Sequence, residues 1–160
     1  MAAASQPPPG TAFPLSEALL QVVLEDRVSD RFVNELLWSH LGYLPQPEGT
    51  DWPAVTTTPA YWREAFPTAP DFIRHRPPSI HLTRSIARSH KQLLKEQLGF
   101  SGYRLGELYP RRTRRATAVN WLLARLAERG EPLPLEGPLP PLRQPPADPS
   151  LGDDGVAVGN

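Results

Sequence analysis

Apolar residues recur at helical spacing along much of the chain, and most of these stretches open or close on a residue suited to a helix end. Leu19, Leu20, Val22, Val23 and Leu24 form a wide apolar arc. Ser16 stands before it as an acceptor for free backbone N–H groups, and Glu17 sits at the positive end of the helix dipole. Ser29-Asp30 repeats the start signal. Phe32, Val33, Leu36, Leu37 and Leu41 then cover about half a helical circumference before Gly42 stops the run. Glu25-Asp26-Arg27-Val28 joins the two as a helical hairpin. Thr58-Pro59 opens a short helix over 60–66, ended by Pro67. Ser89 to Leu98 reads as a helix with Leu94 and Leu98 inward and Lys91 and Lys95 outward. Gly99 closes it and Phe100 folds back onto Leu94. The last helix runs from about Arg111 to Arg129, with Ala116, Val119, Leu122, Leu123 and Leu126 buried and Gly130 beyond its end.

The connecting segments read differently. Residues 43–58 are a Pro- and Thr-rich loop, and 67–78 contain four prolines, which favours extended or irregular backbone. Ile80 to Ile86 alternates apolar and polar, the pattern of a lone strand whose only candidate partner is Phe100 to Leu108. The expected fold is therefore mainly α: a single small domain of about five helices, with room for a minor two-stranded β element. Its expected limits are 14–130. Residues 1–13 are mostly Ala, Ser, Gln, Pro and Gly, and residues 131–160 hold eight prolines and four glycines with no aromatic residue. Both tails are expected to be disordered, lacking the apolar area to repay their ordering entropy. All Trp, Tyr and Phe residues fall between Phe13 and Trp121.

Charge changes the picture more than composition does. The net charge of zero divides into −5 over residues 1–70, +9 over 71–130 and −4 over 131–160. Such asymmetry speaks of partners rather than of fold. The chain has no cysteine, so it forms no disulfides, thiolate nucleophiles or Cys-based zinc sites. With neither a basic, apolar leader nor a run long enough to span a bilayer, it is expected to be cytoplasmic.

Arg111-Arg112-Thr113-Arg114-Arg115 is the sharpest cluster. Cations at a helix N-terminus oppose the dipole, and four guanidiniums repel one another. A phosphate or an acidic side chain facing them would reverse the sign of every contribution. Two readings stay open, an anion-binding site and internal pairing with the acidic N-terminal half. Trp121 lies away from the apolar stripe, beside Arg114 and Arg125, where an exposed ring would stack a base; burial on a second face is the alternative favoured for so large a side chain. Gly99, Gly102 and Gly106 match no phosphate-loop spacing. His40 falls within the apolar arc and reads as a core residue, while His75, His81 and His90 match no metal pair. No G-x-S-x-G or paired-carboxylate arrangement points to catalysis, and no cofactor is implied.

Several stretches together resemble a known family. They are Phe32-Val33-Asn34-Glu35-Leu36-Leu37-Trp38, Trp62-Arg63-Glu64, Pro70-Asp71-Phe72-Ile73 and Leu82-Thr83-Arg84-Ser85, then Lys91 through Phe100 and Gly102-Tyr103. Gly106-Glu107, Pro110-Arg111, Thr113 through Ala118 and Asn120 through Leu123 continue the likeness. The family is an uncharacterised one, of unknown function, from cyanobacteria and photosynthetic eukaryotes. The resemblance covers about Leu15 to Arg129 and carries no activity to transfer. The expectation is a non-catalytic binding module rather than an enzyme, whose basic face is built by Lys91, Lys95, Arg104, Arg111, Arg112, Arg114 and Arg115. Its partner is an acidic protein surface or nucleic acid. The alternative is a small enzyme or ligand-binding protein holding a phosphate at the start of the last helix.

Overall fold

Ser16 Oγ accepts the N–H of Leu19 at 3.0 Å, and Ser29 Oγ accepts that of Phe32 at 3.0 Å. The first two helices thus begin where a side chain satisfies their unpaired donors. The computed structural model describes residues 13–151. Its six helices are α1 (Glu17–Leu24), α2 (Asp30–Leu41), α3 (Ala60–Ala65), α4 (Arg76–Ser85), α5 (Leu93–Leu98) and α6 (Pro110–Arg129), with 3-10 turns at Arg88–His90 and Leu105–Glu107. Gly42, Gly99 and Gly130 close α2, α5 and α6 in the left-handed region. Only at Gly42 is the space also closed: a Cβ there would lie 2.3 Å from the Thr57 carbonyl oxygen.

α6 is the axis of the domain, packed against α1, α2, α4 and α5. Val119, Leu122 and Leu123 on α6, Leu19, Leu20 and Val23 on α1, and Val33, Leu36 and Leu37 on α2 are fully enclosed. Each such side chain contributes roughly 1.5–3 kcal/mol. Phe72, Ile73 and Leu82 complete this core from the second half of the chain. Trp121 lies outside the stripe, yet α4 covers it: it is 6% exposed, and its Nε1 donates to Ser85 Oγ at 2.9 Å.

Among the described residues there is no strand, so the two-stranded element expected from 80–86 and 100–108 is not formed. Ile80 to Ser85 instead belongs to α4, because Ser79, Leu82 and Ile86 recur at three- and four-residue steps and turn one face to the core. Pro77 and Pro78, expected to enforce irregular backbone, occupy the first turn of α4, where a missing N–H costs nothing. Residues 100–108 remain a loop with a single 3-10 turn. The closest approach to a sheet is an isolated antiparallel bridge between Pro53 and Thr68.

Two asparagines hold backbone from other parts of the chain. Asn34 Oδ1 accepts the N–H of Phe72 at 2.9 Å and its Nδ2 donates to Asp71 at 3.0 Å, which pins the turn before α4 onto α2. Asn120 Oδ1 accepts the N–H of Leu94 at 2.8 Å while its Nδ2 donates to the His90 carbonyl at 3.2 Å. α5, which lacks a cap of its own, is therefore started by a side chain of α6.

Residues 131–151, expected as part of a free tail, run against the domain instead. Pro134 and Leu135 carbonyls accept the N–H groups of Glu17 and Ala18 at 2.9 and 3.1 Å, so the segment satisfies donors at the start of α1. Leu133 packs on the core, Pro146 is buried, and the Arg143 N–H donates to the Arg27 carbonyl at 3.0 Å. A proline-rich strap has fewer N–H donors than carbonyls, which leaves carbonyls free to accept from a helix N-terminus. Residues 1–12 and 152–160, the remainder of the expected tails, lie outside the described residues.

Ending the chain at Gly130 should lower the thermal midpoint by several degrees, about 2 kcal/mol for a domain of this size, through lost helix-end and ion-pair contacts. Calorimetry of the full chain against the 1–130 chain checks this; equal midpoints would show that the strap adds nothing.

Candidate functional site

α1 ends in a Schellman arrangement: the Asp26 N–H donates to the Val23 carbonyl at 3.2 Å and the Arg27 N–H to the Val22 carbonyl at 3.0 Å. The left-handed position in that motif ordinarily takes glycine, but here it is Asp26, with φ of 64°. Its carboxylate explains the exception. Arg111 grips it with two bonds of 2.6 and 2.7 Å, Arg112 Nε reaches it at 3.3 Å, and Arg143 Nη2 at 3.1 Å. Asp30, at the first turn of α2, accepts from Arg111 Nε at 2.9 Å and from Arg115 Nη1 at 2.7 Å. Arg115 is fully buried, and its other donors reach the Val23 and Val28 carbonyls at 3.0 and 2.7 Å.

Burial alone would raise the Asp26 carboxyl, but the hydrogen bond from Arg111 and the charges of Arg115, Arg111 and Arg143 hold it below the usual carboxylate range. Burial likewise opposes the Arg111 charge, and Asp26 and Asp30 more than reverse that effect. In Arg115 burial prevails and the pKa is lowered, with both aspartates acting against it. Of the four arginines placed against the α6 dipole, Arg111, Arg112 and Arg115 are thus matched by two carboxylates of the same chain, and Arg114 is not.

The seven cations proposed for a basic face therefore separate. Arg111 and Arg115 are interior and committed to Asp26 and Asp30, so neither presents a surface to an outside anion. Arg112 is half-buried between Asp26 and the Tyr109 ring, 5.7 Å from its centroid. Arg104 is exposed at the start of the second 3-10 turn. Trp121 is enclosed and offers no stacking face. Lys91, Lys95 and Arg114 are brought to one place, a trough between α4 and α6.

The trough consists of two recesses of about 910 and 490 Å³ that share Thr83, Thr113 and Thr117 along their seam. Arg76, Arg84 and Arg114 line the larger; Lys91 and Lys95 line the smaller. Ile80 and Leu108 form apolar wall in the first, and Ile86, Leu94 and Phe100 in the second. No carboxylate lines either. Arg114 is fixed by donating to the Ile73 and Arg74 carbonyls at 3.1 and 3.3 Å, and Lys91 Nζ bonds the Thr83 carbonyl. Sequence reasoning missed Arg76 and Arg84. They stand two helical turns apart on α4, a signal that the strand reading of 80–86 concealed.

His40 lies outside the trough. Burial, with the charges of Arg129 and Arg125, lowers its pKa to about 4, and its carbonyl accepts from Arg125 Nη2 at 3.1 Å. Because the folded chain refuses a proton that the unfolded chain accepts from pH 6.5 downward, stability present above pH 6.5 declines as pH falls towards 4. His40→Leu should flatten the dependence of the melting midpoint on pH in that window. Loss ascribable to Asp26 begins only lower, below its ordinary value of 3.8.

Asp26→Gly relieves the left-handed backbone yet should destabilise by about 3–5 kcal/mol, as should Arg115→Gln, since each leaves buried charge uncompensated. Arg112→Gln, at the margin of the cluster, should cost no more than about 1 kcal/mol. Denaturant titration of the three variants checks the ordering; a stable Asp26→Gly protein would show that the carboxylate is not what holds the cluster.

Known proteins bear on the fold and leave the chemistry open. Residues 14–127 match the family model described as a domain of unknown function, DUF1823. A protein whose structure was solved in solution by NMR is 44% identical to this chain, over 73% of this chain and 97% of its own, with a TM-score of 0.65. No curated protein matches. The trough and the paired aspartates and arginines all lie within the matched residues; the strap, which reaches Asp26 through Arg143 and Arg111 through the Pro149 carbonyl, follows them. The chain belongs to the DUF1823 family.

Proposed function

We propose that the protein is a non-catalytic binding module that engages an anionic partner, an acidic protein surface or nucleic acid, through the trough between α4 and α6. One observation carries this reading: five cations, Arg76, Arg84, Lys91, Lys95 and Arg114, surround one open trough that has no carboxylate in its lining. Arg31, Arg111 and Arg115 meet acids of the same chain, whereas these five cations line one recessed surface with no acid among them, and like charges gathered in that way favour an external anion. Arg104, exposed on the adjoining loop, extends the positive field. A cytoplasmic setting in a phototroph accompanies the reading, supported by the family resemblance and the lack of cysteine. Holding a phosphate at the start of α6 is less well supported, because Arg111 and Arg115, the guanidiniums invoked for it, face Asp26 and Asp30.

Arg76, Arg84 and Lys95 are all exposed, so reversing the three to Glu should leave the melting midpoint nearly unchanged. The parent should bind poly-L-glutamate or poly-U RNA with an affinity that weakens steeply as salt rises, and the triple variant should lose that binding. Fluorescence anisotropy at two salt concentrations is the measurement. A parent that binds neither polymer would overturn the reading.

A further inference from the structure

The trough's walls say more about the partner than its charge does. We infer that it is a docking groove for an acidic amphipathic helix of another protein, laid along α4 with its apolar face on the floor and its carboxylates against the cationic rim. This names the partner within the anionic-partner reading above and rests on it.

Shape argues for a segment rather than a small molecule. The lining follows α4 from Arg76 through Thr83 to Arg84, then crosses Ile86 to reach α5. Recesses of about 910 and 490 Å³ each suit a small ligand in volume, but they share Thr83, Thr113 and Thr117, so together they form one elongated surface that suits a segment. A helix the length of α4 spans about 15 Å, so roughly three turns of a partner helix fit alongside.

Chemistry argues for protein over nucleic acid. A groove for single strands combines cations with exposed aromatic faces on which bases stack. Here the apolar lining is aliphatic, with Ile80, Ile86, Leu94 and Leu108. Its single aromatic residue, Phe100, is held edge-on against Tyr103 with ring centroids 5.0 Å apart. Trp121, the one residue that could have made a stacking platform on α6, is enclosed beneath α4. An aliphatic floor is repaid by leucines, not by sugar and phosphate.

Exposure supplies an independent sign. Leu108, at the edge of the larger recess, is 52% exposed, and Leu105 on the same loop is 90% exposed. Large apolar side chains beside an apolar groove mark a surface that a protein partner covers. Cations ring that apolar surface, so the complementary face alternates leucine-like and carboxylate residues at helical spacing.

The test uses the full chain and fluorescein-labelled peptides of about 15 residues built from Leu, Glu and Ala. One places its leucines on a single helical face; the other has the same composition with that face scrambled. The facial peptide should bind at least about tenfold more tightly than the scrambled one, and more tightly than a poly-U oligonucleotide. Leu108→Glu and Arg84→Glu, both at exposed positions and both checked by thermal melts, should each weaken it by about tenfold. Equal binding of both peptides, or tighter binding of the RNA, would overturn the helix-docking proposal while leaving the anionic-partner reading in place. If neither peptide nor RNA binds, both fall together.

Discussion

Asp26 and Asp30, with Arg111 and Arg115, form the interaction on which the rest of this structure depends. The four side chains come from the end of α1, the start of α2 and the first turns of α6, and together they set where those three helices meet. Buried ions are expensive to desolvate, and such a cluster adds little net stability relative to a well-packed apolar one. What it supplies is geometry. Arg111 grips one carboxylate with two bonds and reaches the next with a third, and Arg115 also takes two backbone carbonyls, so few other arrangements would leave every charge matched. The left-handed backbone at Asp26 follows from the same demand. Glycine would fit that turn with less strain and would leave the guanidiniums alone.

Once α6 is anchored in this way, its remaining faces are assigned. Val119 and Leu122 go to the core with α1 and α2, Trp121 goes under α4, and Pro110, Thr113, Arg114 and Thr117 are left along the trough. Asn120 holds α5 by its backbone, which fixes the wall that carries Lys91 and Lys95. The site is therefore a by-product of the same helix that organises the core, with its cations on a different face from the paired ones. Positive residues adjacent in sequence, such as Arg114 and Arg115, serve unrelated ends because one step along a helix is a turn of about 100°.

The strap over residues 131–151 joins this arrangement from outside the family domain. It meets the donors at the start of α1 with its carbonyls, then brings Arg143 to Asp26, and the Pro149 carbonyl accepts from Arg111 at 3.1 Å. A segment without an apolar face of its own can still be ordered where a folded domain presents unpaired helix-end donors and a buried carboxylate.

The sequence determined what is local. Ser16 and Ser29 as helix starts, Gly42, Gly99 and Gly130 as stops, and the apolar arcs of α1, α2 and α6 depend on spacing and capping within a few residues, which a single chain displays. Pro77-Pro78 and the alternation of Ile80 to Ile86 were misleading for the same reason, since a first helical turn and an irregular loop accept the same prolines, and a short run fits two periods. Only the tertiary structure decided which cations are available. Arg111 and Arg114 are indistinguishable as residue types three positions apart, yet one faces carboxylates more than eighty residues away and the other lines a trough. That choice is made by packing between distant segments, which leaves no mark in local pattern. The trough itself exists only where α4, α5 and α6 meet, and no stretch of the chain spells it.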